Sequence, residues 1–145
     1  MDLFTSMQTS SSALTAERTR MNLISSNLAN ANTTRTPEGG PYKRKDAVFA
    51  ATPLESGFGK ALDGAARQQL RQVVVSEIVE DKSAPRMQYD PGHPDANAQG
   101  YVAMPNVNVV EEMADMIAST RVYEANVSAA QAAKSMALKT LEIGR

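Results

Sequence analysis

The single histidine and its acidic neighbours are the first residues whose types could support chemistry. His93 lies in the run Asp90-Pro91-Gly92-His93-Pro94, and Asp95 follows directly. Imidazole and carboxylate groups are zinc ligands, but a structural or catalytic zinc site needs three or four of them at compatible spacing. One histidine between two prolines does not offer that spacing. We therefore expect His93 to be a polar residue of a turn.

Three further segments contain residue types found in active sites. Ser10-Ser11-Ser12 supplies hydroxyl groups, but no histidine lies nearby in sequence to activate a nucleophile. Gly39-Gly40 and Gly57-Phe58-Gly59 are glycine-rich, but they lack the strand, helix and lysine that accompany a phosphate-binding loop. The sequence therefore predicts no catalytic residue, no metal, no cofactor and no small-molecule substrate.

Two clusters of charge remain. Lys43-Arg44-Lys45 could contact phosphate, but three charges in a loop are more often solvated or paired with acidic neighbours. Glu111, Glu112 and Asp115 fall within about one turn of a predicted helix, close to its N-terminus. Acidic side chains are favourable there because of the helix dipole. We expect both clusters to be structural.

Composition narrows the class of protein. The chain has 145 residues, which suits one compact unit, and its 15 Lys and Arg against 16 Asp and Glu disfavour a nucleic-acid partner. Of its residues 42% are hydrophobic, but 22 residues are alanine, so large apolar side chains are scarce. Cysteine is absent. The N-terminal residues do not resemble a cleavable signal peptide, and no apolar run approaches the length of a membrane span.

Helix-breaking residues divide the chain into three parts. All seven prolines lie between Pro37 and Pro105, and seven of the eight glycines lie between Gly39 and Gly100. We predict an N-terminal helical segment over 1–31, an irregular centre over 32–107 and a C-terminal helical segment over 108–145. The fold class is mainly α: two long terminal helices pair as a coiled coil around a central segment with a few short β-strands.

The N-terminal helix is predicted from Thr5 to Ala31. Thr5 and Gln8 fit a capping box at its start. Apolar residues then recur at heptad spacing as a narrow stripe, which is typical of a coiled-coil seam. The stripe members that we expect at an assembly interface are Met7, Leu14, Met21, Ile24 and Leu28.

The C-terminal helix is predicted to begin after Asn108, whose side chain would cap it with Glu111 at the third helical position. Its stripe alternates at spacings of four and three: Val109, Met113, Met116, Thr120, Tyr123, Val127, Ala130, Lys134, Ala137 and Leu141. Those expected at an assembly interface are Val109, Met113, Met116, Tyr123, Val127 and Leu141. So thin a stripe on so long a helix requires the N-terminal helix as a partner, and further neighbours beyond it.

The centre contains two candidate strands and a turn. Asp46–Ala50 is a possible short strand, and Gln72–Val79 is the best one because it is rich in β-branched residues. Residues 54–71 could hold a weak helical turn. Asp90–Pro94 is a strong turn signal.

One motif resembles a known family. Ser25-Ser26-Asn27-Leu28-Ala29-Asn30-Ala31-Asn32 is similar to the segment that ends the N-terminal helix of bacterial flagellar axial proteins. Tyr42-Lys43 after Gly39-Gly40-Pro41, Tyr89–Pro94, the run containing Met104, Pro105, Asn106 and Val107, and Tyr123–Val127 resemble the proximal-rod members of that family. The resemblance covers nearly the whole chain. Its motif residues here are Asn27, Leu28, Ala29, Asn30, Met104, Pro105, Asn106 and Val107.

The resemblance implies a structural subunit of the flagellar basal-body rod, the tube that transmits torque across the periplasm. It implies export through the flagellar type III apparatus without a cleavable signal. The implied partners are proximal and distal rod subunits, copies of the chain itself and the adaptor that joins the rod to the export gate. From its chemistry we expect asparagine at positions 27 and 30 to end the helix in a left-handed conformation and to bond the chain reversal.

Two other hypotheses remain open at this point. A cytosolic helical adaptor or export chaperone would fold cooperatively on its own and bind a partner helix. A hydrolase that uses His93 would lose activity on His93→Ala.

Overall fold

The computed structural model describes residues 3–53 and 71–143, in which two long helices enclose two β-hairpins in sequence order. The elements are α1 (Leu3–Ala29), β1 (Lys45–Pro53), β2 (Arg71–Glu80), β3 (Arg86–Tyr89), β4 (Tyr101–Met104) and α2 (Val109–Ile143). The predicted helices and the two predicted strands are confirmed, and the hairpin of β3 and β4 is an addition to the prediction. The weak helical turn expected over 54–71 lies almost wholly outside the described residues.

The two helices pack against each other in antiparallel directions. Asn27 near the end of α1 contacts Glu112 near the start of α2, whereas Met21, earlier in α1, meets Thr120, later in α2. With 27 and 35 residues, the helices are about 40 and 52 Å long. None of the helices within the described ranges is long and apolar enough to cross a membrane.

Of the two predicted N-terminal helix caps, one is confirmed and one is wrong. The Asn108 side-chain oxygen accepts a hydrogen bond from the amide of Val110 at 3.1 Å, so the predicted cap of α2 is confirmed. The capping box at Thr5 is wrong, because α1 begins at Leu3 and the Thr5 carbonyl accepts a hydrogen bond from Thr9 Oγ1 inside the helix. An internal Thr bonding back by one turn imitates a cap in the sequence.

The strands β1 and β2 form an antiparallel hairpin that packs on α1. Pairing runs from Lys45 opposite Glu80 to Pro53 opposite Arg71, with a β-bulge after Val48. Where the hairpin meets the helix, the Val73 amide donates a hydrogen bond to Ser12 Oγ at 3.2 Å. The helix α1 therefore packs against both α2 and this hairpin.

The second hairpin connects the centre to the start of α2. Strand β3 pairs with β4, and the rings of Tyr89 and Tyr101 meet edge to face at 5.3 Å. Val102 of β4 points inward and is 1% exposed. The predicted turn at residues 90–94 closes this hairpin, where the Asp90 carboxylate accepts a hydrogen bond from the Gly92 amide.

The core consists largely of small side chains. The buried hydrophobic residues among those described are Ala16, Ile24, Ala31, Val102, Val107 and Ala133. Three of the six are alanines, so the helices approach closely but bury little apolar area per residue. The scarcity of large apolar residues in the sequence is thus visible in the fold.

Candidate functional site

A buried polar cluster joins three segments that are distant in sequence. We call it the polar junction and define it as Asn27, Tyr42, Arg44, Asn106 and Glu112. It lies where the end of α1, the returning chain before β1 and the start of α2 meet. Asn27 and Glu112 are each only 1% exposed.

Asn27 uses both halves of its side-chain amide. Its nitrogen donates to the Lys45 carbonyl at 2.8 Å and to Glu112 Oε2 at 3.1 Å. Its oxygen accepts from the Lys45 amide at 2.9 Å and from the Tyr42 hydroxyl at 2.9 Å. A side-chain amide can make about four hydrogen bonds, so Asn27 is fully satisfied here.

This position corrects the expected role of the asparagines. Asn27 lies inside α1, which ends at Ala29, and no described residue other than glycine has a positive φ. The left-handed helix end predicted for Asn27 and Asn30 is therefore wrong, whereas the predicted bonding of the returning chain is confirmed for Asn27. Asn30 bonds locally, donating to the Ser26 carbonyl and accepting from Thr33 Oγ1.

The buried carboxylate of Glu112 is neutralised by Arg44. The guanidinium Nε donates to Glu112 Oε1 at 2.5 Å, and its other nitrogens lie 3.3 Å from Asp46 and 3.8 Å from Asp115. Burial alone would lower the pKa of Arg44, but the hydrogen bond and the charge of Glu112 raise it above its ordinary value. The guanidinium thus stays charged and holds the start of α2 against the segment before β1.

The two charge clusters of the sequence meet at this point. The pairing of Lys43-Arg44-Lys45 with acidic neighbours is confirmed for Arg44, and for Lys45, whose ammonium lies 3.4 Å from Glu80. For Glu112, a purely dipolar role is wrong, because its carboxylate is buried and bonded to Asn27 and Arg44. Its spacing of four to Met116 and seven to Ser119 is the signal that could have placed it toward α1.

The other motif residues support the junction from the central segment. Asn106 accepts a hydrogen bond from the Arg44 amide at 3.0 Å. Pro105 and Val107 are buried, and Met104 at the end of β4 is half-buried. Leu28 is half-buried, and Ala29, the last residue of α1, is exposed. The family motif therefore surrounds one structural joint.

The residues of α2 that face α1 are not all those of the predicted stripe. Half of the positions agree, and at the other half the observed residue directly precedes the predicted one. Buried or half-buried residues of α2 recur at spacings of four and three: Glu112, Met116, Ser119, Tyr123, Asn126, Ala130, Ala133 and Ala137. Apart from Asp115 and Val127, every other residue from 109 to 142 is exposed. The predicted stripe shares four of these eight positions. It differs because Ser and Ala let the helices approach closely and Lys134 stays in water.

The residues predicted for an assembly interface consequently fall into two groups. In α1, Ile24 is buried, Leu14, Met21 and Leu28 are half-buried, and Met7 is exposed. In α2, Met116, Tyr123 and Val127 are half-buried, whereas Val109, Met113 and Leu141 are exposed.

A second feature of α2 is an exposed apolar face. We define the apolar face of α2 as Val109, Val110, Met113, Ile117, Leu138 and Leu141, whose exposed fractions run from 43% to 75%. Val109, Met113 and Ile117 follow one another at four-residue spacing and therefore lie on one side of the helix. Val110, Ile117 and Leu138 were not predicted at this surface, although each directly follows a member of the predicted stripe or of the helix face beside it.

The remaining candidates for chemistry are peripheral. His93 lies in the predicted turn, where Nδ1 accepts a hydrogen bond from the Asp95 amide. Within the described residues, no group of three or more histidine and acidic side chains is placed to hold a metal ion. Asn27 and Glu112 are enclosed, and their bonds fix the end of α1, the segment before β1 and the start of α2 relative to one another.

Comparison with known proteins points to one class. Residues 7–35 match the family model described as flagella basal body rod protein, and residues 98–143 match the model described as flagellar basal body rod FlgEFG protein C-terminal. The two matched regions contain most of α1 and all of α2.

Relatives match over nearly their full lengths. The chain is 46% identical to the flagellar basal-body rod protein FlgC of Bacillus subtilis, with all of both chains covered. It is 44% identical to FlgC of Borreliella burgdorferi over 99% of this chain and 98% of the relative. It is 40% identical to FlgC of Salmonella typhimurium over 92% of each.

Proposed function

We propose that this chain, which belongs to the FlgC family of flagellar basal-body rod proteins, assembles through the apolar face of α2. As a member of that family it is a structural subunit of the basal-body rod. The observation that carries the proposal is the exposure of Val109, Val110, Met113, Ile117, Leu138 and Leu141 on a helix that already has an intramolecular partner. Four of these residues cluster at the start of α2 and two lie near its end, and clusters of exposed apolar side chains mark interaction sites on soluble proteins.

The size of this face requires more than one neighbour. Fully burying a large aliphatic side chain is worth about 1.5–3 kcal/mol, so covering the exposed part of six side chains gives about 7 kcal/mol. Association of two proteins costs about 4–15 kcal/mol in lost freedom. One contact through this face is therefore marginal, and several neighbours around each helix make the assembly stable.

The arrangement of the surfaces supports an open helical array. The apolar face lies on α2, whereas the hairpin of β1 and β2 packs on α1, so the two helices present unlike surfaces to neighbours. Contacts between unlike surfaces propagate into helical assemblies. In the proposed function, α1 and α2 pair as a coiled coil, and repeated helix packing gives the proximal rod the torsional stiffness to transmit torque across the periplasm.

The proposed function also includes specific partner proteins. They are other proximal and distal rod subunits, copies of this chain, the adaptor between rod and export gate, and the type III export apparatus during transit. The subunit acts without catalysis or a cofactor. Its small-residue core supports an incompletely ordered free chain, since little apolar area stabilises the helices before neighbours cover them.

The test changes one residue of the apolar face and a matched neighbour. Ile117→Asp places a charge on the face, whereas Ala118→Asp places the same charge on the next residue, which is also exposed but points elsewhere. We expect Ile117→Asp to abolish rod assembly and swimming. Ala118→Asp should retain both. Export and helicity should be unchanged in each variant, as measured by fractionation and circular dichroism.

Either of two results contradicts the proposal. Normal swimming of the Ile117→Asp strain would show that this face contacts nothing in the rod. Equal loss in both variants would show that charge anywhere on α2 is harmful. The adaptor or chaperone hypothesis is set aside because the matched relatives are rod proteins.

A further inference from the structure

We propose that the polar junction sets the rotation of α2 about its own axis, so that Asn27 and Glu112 act as positioning residues that decide which face of α2 meets α1. The consequence for assembly rests on the proposed function, because the opposite outcome would turn Val109 and Met113 of the apolar face toward α1. The intramolecular part rests only on the contacts described above.

The sequence of α2 offers two faces that could pack against α1. The observed series contains Glu112, Ser119, Asn126 and Ala133 between the shared residues Met116, Tyr123, Ala130 and Ala137. The alternative series replaces the first four by the residues that follow them: Met113, Thr120, Val127 and Lys134. Each residue turns the helix by about 100° and only half of the positions differ, so the two packings are related by a rotation of about 50°.

In the first two turns of α2, burial of apolar side chains alone would favour the alternative packing over the observed one. It would cover Met113, which is 52% exposed, and would return the carboxylate of Glu112 to water. Burying a charge is costly unless it is paired and hydrogen-bonded. The observed packing therefore needs a specific compensating interaction, and Asn27 and Arg44 supply it.

The geometry of the junction tolerates only the observed rotation. Glu112 Oε1 and Oε2 are bonded to Arg44 and Asn27, at 2.5 and 3.1 Å. A side-chain end about 5.5 Å from the helix axis moves by about 5 Å when the helix turns by 50°. That displacement breaks both bonds and leaves Asn27 buried without Glu112. A buried polar residue in a helical seam is known to fix register at a cost in stability.

Two cross-links distinguish the rotations, and the chain contains no cysteine that could interfere. Arg20 and Asp115 lie 3.8 Å apart at one edge of the helix pair, and Met21 Sδ and Thr120 Oγ1 lie 3.9 Å apart at the other. Rotation to the alternative face carries Asp115 away from α1 and Thr120 toward it. The ratio of the 20–115 to the 21–120 cross-link, made with a short bis-maleimide on cysteine pairs, therefore reports the rotation.

The ratio is measured on the purified full chain in four backgrounds, which are the parent and three variants. Asn27→Leu/Glu112→Leu removes both buried partners together. Glu111→Leu is the matched control, because it makes the same change at the exposed neighbouring position. Glu112→Gln keeps a side-chain oxygen and should restore the parent ratio. Since Asp115 also lies 3.8 Å from Arg44, the yield of each cross-link is first normalised to its yield in the parent background, and the ratio of the two normalised yields is compared across backgrounds.

We expect the ratio to fall at least fivefold in the double variant, with helicity retained, and to stay at the parent value in Glu111→Leu and Glu112→Gln. An unchanged ratio in the double variant overturns the proposal, because the junction would then only add stability. Loss of both cross-links in the double variant also overturns it, since pairing itself would need the junction. A shifted ratio together with normal swimming of Ile117→Asp would refute the assembly face but leave this inference standing.

Discussion

Asn27→Ala should be the most damaging single truncation in the family motif. The side chain is 1% exposed and bonds to the amide and carbonyl of Lys45, the hydroxyl of Tyr42 and the carboxylate of Glu112. Truncation leaves four buried polar groups short of one partner each. Because Asn27 and Glu112 are almost completely buried, these groups lose most of the bonds without replacement by bulk water.

The magnitude follows from the four bonds. Three neutral hydrogen bonds at about 1 kcal/mol each and one to a charged group at about 2 kcal/mol sum to about 5 kcal/mol. Entry of a water molecule into the space vacated recovers part of this, so we expect a loss of about 3–5 kcal/mol in the free energy of unfolding. Domains of this size are stable by about 5–15 kcal/mol, so the variant should lose a large fraction of its stability and unfold at a clearly lower urea concentration than the parent.

The assay is urea unfolding followed by far-ultraviolet circular dichroism, with Asn30→Ala as the matched control. Asn30 belongs to the same motif and also makes side-chain hydrogen bonds, to Ser26 and Thr33, but it is half-exposed. Water replaces its partners, so we expect a loss of only about 0.5–1 kcal/mol. Equal losses in the two variants would refute the reasoning, because burial of the amide would then not determine its contribution.

Two further substitutions test the central segment. Gly100 has a φ of +81°, and an added Cβ would lie 2.9 Å from Tyr89 Cε2. Gly100→Ala should therefore lower the free energy of unfolding by about 1–3 kcal/mol in the same urea assay. As the control, Gly92→Ala, whose added Cβ would have its nearest atom at 3.6 Å, should change it by less than about 0.5 kcal/mol. The Ser83 hydroxyl and amide donate to the Asp81 carboxylate at 2.6 and 2.8 Å and lower the pKa of Asp81, so Ser83→Ala should raise that pKa toward its ordinary value in a carboxyl-carbon NMR titration. Since a pKa lowered by folding contributes stability above the unfolded pKa and loses it on acidification, the variant should also lose less stability on acidification, and an unmoved pKa would contradict the assignment.

Local signals in the sequence predicted most of the elements. The cap at Asn108, the β-branched run of β2 and the turn at residues 90–94 depend on neighbours within a few positions, and the structure contains each of them. The hairpin of β3 and β4 was missed. Its strands have four residues each, and β3 is exposed throughout, so no alternation of apolar and polar residues marks it.

The polar junction could not be derived from local pattern. Asn27, Arg44 and Glu112 come from three segments, and each has an adequate local interpretation as a helix end, a solvated charge or a favourable dipole contact. Only the tertiary contact shows that they satisfy one another. The resemblance to flagellar axial proteins identified the motif, but the bonds that explain it depend on residues 18 and 85 positions away.

The choice of face on α2 shows why hydrophobic periodicity was insufficient. The stripe was drawn through the larger apolar residues, as is correct for a helix that buries its own core. In the assembly that we propose, the larger residues are needed outside, and the intramolecular contact is left to alanine and serine. Small residues bury too little area to specify a rotation by themselves, so a directional interaction must do so. Hydrogen bonds to Glu112 have that directionality, which apolar contacts lack. A buried polar group beside a weak core is therefore the expected companion of an apolar face reserved for neighbours.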